Sequence, residues 1–300
     1  MTAVEMLREV PVAVDPRGGA PRRPARWREV LGAALRRPGL VLSVLVLLLV
    51  LGWAFAPSWF TSGDPYTGVP RDKLTPPGAQ YWFGTDHLGR DLYTRVVYGA
   101  SLSLKATAIA VAVGFVVGTL VGLVSGFVGG RFDGVVMRLV DVLLSIPGLL
   151  LSLAVVTALG FGTVNVAIAV GVASVASFAR VMRADVFRAR TEVFVEAATV
   201  SGVGRAEILV RHVLPHALGS VLVLAALEFG GAILAVSALS FLGFGAPPPE
   251  PEWGALVSEG RNYLASAWWL TTLPGFVVAA SVLAANRISR ALDRDGGDRW

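Results

Sequence analysis

Cysteine is absent from this 300-residue chain, and lysine and histidine are scarce. Without cysteine there is no disulfide framework, thiol nucleophile or thiolate metal ligand. The two lysines, Lys73 and Lys105, do not follow a glycine-rich segment, so the chain has no P-loop for nucleotide phosphates. His212 and His216 have metal-ligand spacing, but Pro215 lies between them and no carboxylate accompanies them. These absences predict a chain with no catalytic site, cofactor or metal of its own.

Charge is also sparse. Charged residues make up 16% of the chain and hydrophobic residues 54%, and the mean hydropathy is +0.66. A soluble domain of this length carries more charge and shorter apolar runs. The pI of about 10.1 is compatible with nucleic-acid binding, but the arginines lie between apolar runs and form no single basic domain. The composition therefore favours a membrane protein.

Six segments are apolar for long enough to cross a bilayer, which takes roughly 20 helical residues. The predicted spans are residues 40–56, 102–127, 135–159, 164–178, 219–243 and 270–288. Several contain glycine or proline, which are commoner in membrane helices than in soluble ones. The fold class predicted from this pattern is an all-α, polytopic membrane protein with six transmembrane helices.

The distribution of positive charge predicts the orientation. Of the 26 lysine and arginine residues, 20 fall in the segments that lie inside when the N-terminus is inside. Both termini and the polar segment 180–218 are therefore expected in the cytoplasm. Residues 1–38, rich in arginine, proline and glycine, are expected to form a disordered cytoplasmic tail. The alternative, a cleaved signal peptide ending near Ala56, is disfavoured because roughly 38 residues precede the apolar run.

Small and charged residues inside the spans leave two questions open. Gly114, Gly118 and Gly122 recur every fourth residue and form a face that another helix approaches closely, either in this chain or in another subunit. Glu228 falls midway along the fifth span, where a carboxylate either lines a translocation path or bonds a neighbouring helix. Asp141 is expected to pair with Arg138, three residues earlier on the same face.

The polar segment 180–218 has a helical pattern of its own. Val186, Val193 and Val200 share one face of a predicted helix that ends at Gly202, where glycine tolerates a left-handed cap. A second short helix is expected to end near Leu214, because Pro215 cannot continue the hydrogen-bond ladder. From the residues alone, this helix pair is either a docking surface for a partner or an amphipathic loop in the lipid headgroups.

The same segment resembles the EAA loop of bacterial ABC importer permeases, whose motif is matched at Glu196, Ala197, Ala198, Gly202, Leu214 and Pro215. His212 replaces the isoleucine of the motif, and an Arg-His pair there is usual in the peptide-permease branch. Further stretches similar to the C-type subunit of dipeptide and oligopeptide importers are residues 83–104, 126–147, 238–261 and 267–275. Val236 departs from the acidic residue common in the family, and residues 286–293 shorten its C-terminal pattern.

The resemblance implies the type I ABC importer permease fold and one half of a translocation pore for peptides or similar small solutes. It implies a bacterial cytoplasmic (inner) membrane location and three kinds of partner. These are a second homologous permease, two ATPase subunits that carry ATP and magnesium and grip the EAA loop, and an extracytoplasmic binding protein. The outer loops, among them the acidic stretch of Glu250, Glu252 and Glu259, are expected either to dock that binding protein or to pack as a lid.

The expected organisation is the tail at 1–38, the first span with its outer loop at 39–98, the core at 99–290 and a cytoplasmic tail at 291–300. Two other classes of protein remain open. A secondary transporter would act alone and show inverted repeats and midplane ion-coupling residues, of which Glu228 is the single candidate. A non-transporting membrane scaffold would keep the coupling loop and move no solute.

Overall fold

The structure is a computed structural model that describes residues 38–297. The expected N-terminal tail lies outside the described residues, apart from Pro38. Within the described range the secondary structure is helical, and the one extended pairing is an isolated bridge between Thr85 and Asp91. The all-α prediction is confirmed.

Within residues 38–297, five long helices are apolar enough to cross a membrane. They are α1 (Pro38–Phe55), α2 (Leu92–Val128), α5 (Thr163–Arg190), α8 (Leu214–Phe241) and α10 (Trp269–Gly297). Helix α2 begins ten residues before the predicted span because Asp91 caps it, its carboxylate accepting hydrogen bonds from the backbone N–H groups of Tyr93 and Thr94. Helix α10 continues to Gly297, so residues 291–297 of the expected C-terminal tail are helical.

The predicted third span is two helices, α3 (Gly130–Ser145) and α4 (Gly148–Leu159), which meet at a bend of 98°. A single helix through 135–159 is therefore wrong. Pro147 supplies the physical reason, because its ring disfavours helical geometry in the preceding residue. Ile146 accordingly has extended backbone angles, with φ −90° and ψ 129°.

Helices α2 and α5 form the most extensive contact of the bundle, along the predicted glycine face. A Cβ atom on Gly118 would lie 2.5 Å from the Cβ of Phe178, and one on Gly114 would lie 3.0 Å from the Cβ of Ser174. A Cβ at 2.5 Å would force the neighbouring helix to shift, so glycine at position 118 allows the two backbones to approach closely. The open question is answered in favour of packing within this chain.

Shorter helices close the two ends of the bundle. At one end, α6 (Val193–Val200), α7 (Arg205–Ile208) and a π-helical turn (Leu209–Val213) join α5 to α8. At the other, α9 (Trp253–Gly260) lies between α8 and α10. There the indole N–H of Trp253 donates to the carbonyl of Val96 at 3.0 Å, and that of Trp269 donates to the carbonyl of Thr85 at 3.2 Å. These bonds fix α9, α10 and the long 56–91 loop to α2.

Candidate functional site

Helix α6 is a separate element. The chain leaves α5 at Arg190, turns through Thr191 and Glu192, and enters α6 at Val193. The single helical face predicted through Val186, Val193 and Val200 is therefore wrong, because the helix breaks between the first two of these valines. Val186 is buried, whereas Val193 and Val200 are 77% and 84% exposed.

The turn after α6 has the predicted glycine cap. Gly202 has φ +78°, its N–H donates to the carbonyl of Thr199, and the N–H of Val203 donates to the carbonyl of Ala198. This pair of bonds is the Schellman arrangement, which closes a helix through a left-handed residue. A Cβ on Gly202 would meet no atom of the described part of the chain within 4 Å. Substitution there is thus strained by the backbone conformation and not by contacts within the chain.

The end of the second short helix differs from the prediction. Helical structure continues from Arg205 through Pro215 into α8, because the turn Leu209–Val213 is π-helical. Pro215 lies in the first turn of α8, where the missing N–H is tolerated. In a π turn each backbone N–H bonds the carbonyl five residues earlier instead of four. The helix therefore continues past Pro215 without a break.

The six residues of the EAA-like motif separate by exposure. Glu196, Ala197, Gly202 and Pro215 are exposed, and Ala198 and Leu214 are half-buried. Beneath them a small core of Val195, Ile208 and Val213 packs against Val186 and Ala217, joining the loop to α5 and α8. The residues Val193, Glu196, Ala197, Val200 and Gly202, which we call the α6 surface, lie on the outside of this core.

Two aromatic contacts that the sequence did not indicate hold α6 in place. The ring of Phe194 lies 6.3 Å from that of His212 and 5.6 Å from that of His216, centroid to centroid. The histidine pair therefore packs against α6, and its i, i+4 spacing was the available signal.

The end of α5 is also tied to α2 and α3. Asp133 is buried, and its carboxylate accepts hydrogen bonds from Ser125 at 2.6 Å and from the Arg183 guanidinium at 2.6 and 2.5 Å. Arg190 donates to the carbonyl of Gly126 at 2.7 Å. Arg183 is 50 residues from Asp133 in the chain, and spacing along one helix does not indicate such a partner.

Two acidic side chains in the spans have their partners on α5. Glu228 is half-buried, and its carboxyl lies beside the Ser174 hydroxyl of α5. Asp141 pairs with Arg180 of α5, so the predicted local pair with Arg138 is wrong. Residues three apart on one helix were the only partners that sequence spacing could suggest, whereas the observed partner comes from a neighbouring helix.

A buried charge cluster occupies the opposite end of the bundle. Arg90 and Arg95 both bond the carboxylate of Asp86, at 2.6 and 3.0 Å, and Arg95 bonds Glu259 at 2.6 Å. Burial alone would raise the pKa of Asp86, but hydrogen bonds from backbone N–H groups and the two guanidinium charges outweigh it and hold the pKa below its usual value. His87 lies close enough to share a metal ion with Asp86 and Glu259, but both carboxylates already have cationic partners.

The acidic outer stretch is mostly internal. Glu252 is fully buried at the start of α9, where its carboxylate accepts hydrogen bonds from the Ser103 hydroxyl at 3.0 Å and the Ala255 N–H at 3.0 Å. Burial raises the pKa of Glu252. Only Glu250 of the three glutamates is exposed, with the Tyr66 hydroxyl donating to it at 3.1 Å. Most of this acidic stretch is therefore packed against the rest of the protein.

Comparison with known proteins decides the family. Residues 118–295, which include α3 to α9 and the α6 surface, match the family described as the binding-protein-dependent transport system inner membrane component. The chain belongs to this family of transport permeases. The permease fold accounts for the apolar helices, and the match includes every residue of the predicted coupling motif and Glu228.

Curated relatives of the permease resemble it over most of their length. A dipeptide transport system permease protein of Alkalihalophilus pseudofirmus is 38% identical over 273 residues, covering 91% of this chain and 89% of the relative. A glutathione transport system permease protein of Shigella flexneri is 40% identical over 273 residues, covering 91% and 90%. A putative peptide transport system permease protein of Brucella suis is 39% identical over 249 residues, covering 83% of each.

Two solved structures share the permease fold. An amino acid ABC transporter gives a TM-score of 0.53 at 18% identity, covering 68% of this chain and 94% of that one. The methionine ABC transporter MetNI in an inward-facing conformation gives 0.52 at 20% identity, covering 66% and 96%. The likeness confirms the predicted type I ABC importer permease architecture.

Proposed function

We propose that this permease forms half of the translocation pore of an ATP-driven importer for peptides or similarly small, polar solutes. Relatives named for dipeptide, glutathione and peptide transport support this substrate class, since each matches more than four fifths of the chain. Glutathione and dipeptides share free amino and carboxylate groups and amide bonds. The common chemistry is therefore a small, hydrophilic, charged solute that cannot cross lipid unaided.

The α6 surface is the proposed contact for the ATPase. Val193 and Val200 are 77% and 84% exposed, and apolar side chains presented together at a loop favour a protein partner. Ala197 has a small side chain and Gly202 has none, so the backbone of a partner can approach the α6 surface closely. The Val195, Ile208 and Val213 core beneath joins α6 firmly to the bundle. This exposed helix on a packed base is the observation that carries the proposal.

The rest of the assembly follows from this assignment. Both termini and the α6 surface face the cytoplasm of the bacterial inner membrane, as the arginine distribution supports. Two ATPase subunits carry ATP and magnesium and contact one permease each, while a second homologous permease completes the pore. A binding protein delivers solute to the outer end, where Glu250 is exposed. ATP hydrolysis takes place on the partners, and this chain is non-catalytic.

Paired substitutions test the coupling assignment. Ala197 and Ala265 are both exposed alanines, one on α6 and one in the loop before α10 at the opposite end. Ala197→Asp adds charge to the α6 surface without backbone strain, and Ala265→Asp is the matched control. We expect Ala197→Asp to reduce co-purification of the ATPase and solute-stimulated ATP hydrolysis at least tenfold, with Ala265→Asp unchanged. Full ATPase recovery and stimulation by Ala197→Asp would show that the α6 surface is not the contact.

A further inference from the structure

Helix α3 carries a polar face inside the span region. Arg138, Asp141 and Ser145 are spaced i, i+3 and i+7, so they lie along one side of the helix. All three are exposed in this chain. Across from them Arg180 of α5 pairs with Asp141, and the side chains of this pair are 55% and 61% exposed. The ion pair therefore opens onto space that residues 38–297 do not fill.

The polar face begins at the loop end of the predicted spans and runs into the third one. Arg180 lies two residues beyond the predicted span 164–178, and Asp141 and Ser145 follow the start of the predicted span 135–159 by six and ten residues. At 1.5 Å per residue Ser145 lies about 15 Å inside that span, a distance near half the thickness of the hydrocarbon layer. The polar face is thus not confined to the headgroup level.

A second face of α3 has the opposite character. Val135, Leu139 and Val142 are 62%, 63% and 59% exposed and are spaced i, i+4 and i+7. At about 100° per residue this apolar face lies roughly a quarter turn from the polar one. One helix therefore presents an apolar surface and a charged surface side by side, and the two need different surroundings.

Lipid suits only the apolar face. A charged side chain exposed to hydrocarbon is costly, so charges in membrane segments face water or a polar interior. A half-exposed ion pair buried against an apolar partner would lose the hydration that its exposed atoms keep. Of the two faces, Val135, Leu139 and Val142 fit lipid or a packed subunit, and Arg138, Asp141 and Ser145 fit water.

We propose that the polar face of α3 and the adjoining side of α5, at Ser177 and Arg180, line a water-filled passage whose local positive charge favours solutes bearing a carboxylate. This assignment rests on the proposed transport function. Arg180 is balanced by Asp141, whereas Arg138 makes no ion pair within the described residues. The face presents two cations to one anion, and Arg138 is the group free to meet the carboxylate of a passing solute.

The natural lack of cysteine makes the passage directly testable. Single variants Ser145→Cys and Ser177→Cys probe the polar face, and Leu139→Cys and Val142→Cys are controls on the apolar face of the same helix. Each is placed in the assembled transporter in membrane vesicles open on both sides. Labelling uses charged, membrane-impermeant methanethiosulfonate reagents without ATP or solute, and labelling after denaturation with detergent normalises the amount of protein.

We expect the polar-face cysteines to react at least tenfold faster than the apolar-face controls. Equal labelling of both faces, or protection of the polar face, would overturn the passage. We also expect the anionic reagent to be favoured over the cationic one at Ser145→Cys, and Arg138→Gln to reduce this preference by about two- to fourfold, since Arg138 lies about 10 Å away in water. An unchanged preference would overturn the role of Arg138.

These readouts are independent of solute uptake and of ATPase contact. Failure of the coupling assignment would be seen with Ala197→Asp and would leave the labelling pattern unaffected. If the polar-face cysteines are not labelled in a transporter that still responds to ATP, the passage alone is overturned.

Discussion

Removal of the Arg95 charge should destabilise the permease more than removal of any exposed arginine. Arg95 is fully buried and bonds Asp86 at 3.0 Å and Glu259 at 2.6 Å. Arg95→Met keeps the length of the side chain and leaves the buried carboxylate of Asp86 and the half-buried one of Glu259 facing Arg90 alone. Breaking a buried ion pair from one side costs roughly 3–5 kcal/mol. We expect about 3 kcal/mol, the lower end, because Arg90 still contacts both carboxylates.

The matched control is Arg211→Met. Arg211 pairs with Glu207 at 2.5 Å, as close as the buried pair, but its side chain is 73% exposed. Exposed pairs contribute roughly 0–1 kcal/mol. For a chain of this size 1 kcal/mol shifts the unfolding temperature by about 2–4 °C. The expected shifts are therefore about 6–12 °C for Arg95→Met and at most about 4 °C for Arg211→Met.

Thermal unfolding of the detergent-solubilised transporter, followed by tryptophan fluorescence, measures both shifts. Trp253 and Trp269 lie at the same end as the cluster and bond the backbone of α2 and its preceding loop, so they report on that region. Arg95→Lys keeps the charge and loses the two-pronged contact with Glu259, and should fall between the variants. Equal shifts for Arg95→Met and Arg211→Met would refute the conclusion that burial decides the strength of these pairs.

Four further outcomes follow from single contacts. Glu252→Ala removes the cap of α9 and an acceptor for Ser103, and should cost about 1–3 kcal/mol of stability in the same melt. Gly118→Val should prevent α2 and α5 from packing, which a loss of folded, monodisperse protein on size exclusion would show. The lowered pKa of Asp86 means that its contribution to stability is present above its ordinary value of 3.8 and is lost as the pH falls through its folded value, and Asp86→Asn should remove that part of the acid sensitivity. Gly202→Ala should weaken the α6 turn by about 1 kcal/mol, visible as faster proteolysis at residues 199–204.

Local patterns in the sequence were sufficient for the features that depend on local physics. Apolar runs predicted the spans, and the fourth-residue spacing of Gly114, Gly118 and Gly122 predicted a close helix contact, which α5 provides. The cap at Gly202 followed from the same kind of reasoning, since only the residues next to it decide the turn. The type of each element is fixed within a few turns of chain, and such information is present in a single sequence.

The direction of a helix after a bend, and contacts between residues far apart in the chain, could not be predicted in this way. Apolarity through 135–159 carried no information on direction, so the 98° bend at Pro147 was missed. Glu259 meets Arg95 across 164 residues, and Asp133 meets Arg183 across 50. Charge spacing along one helix suggests only partners three or four residues away, as with Arg138 and Asp141. The spacing holds no information on the packing of α3 against α5, which pairs Asp141 with Arg180 instead of Arg138.

The helix α5 joins the two regions that transport would need to connect. Its last turns carry Val186 and Ala189, which pack with Val195 of α6, and about three turns earlier it carries Ser177, beside the polar face. It is one uninterrupted helix from Thr163 to Arg190, held to α2 by the glycine contact and to α3 by Asp133 and Arg183. We therefore expect a push on α6 to move α5 and α2 as one body, since close-packed helices do not deform continuously. Helix α3 is not continuous with α4, because the chain bends by 98° at Pro147, where the polar face ends.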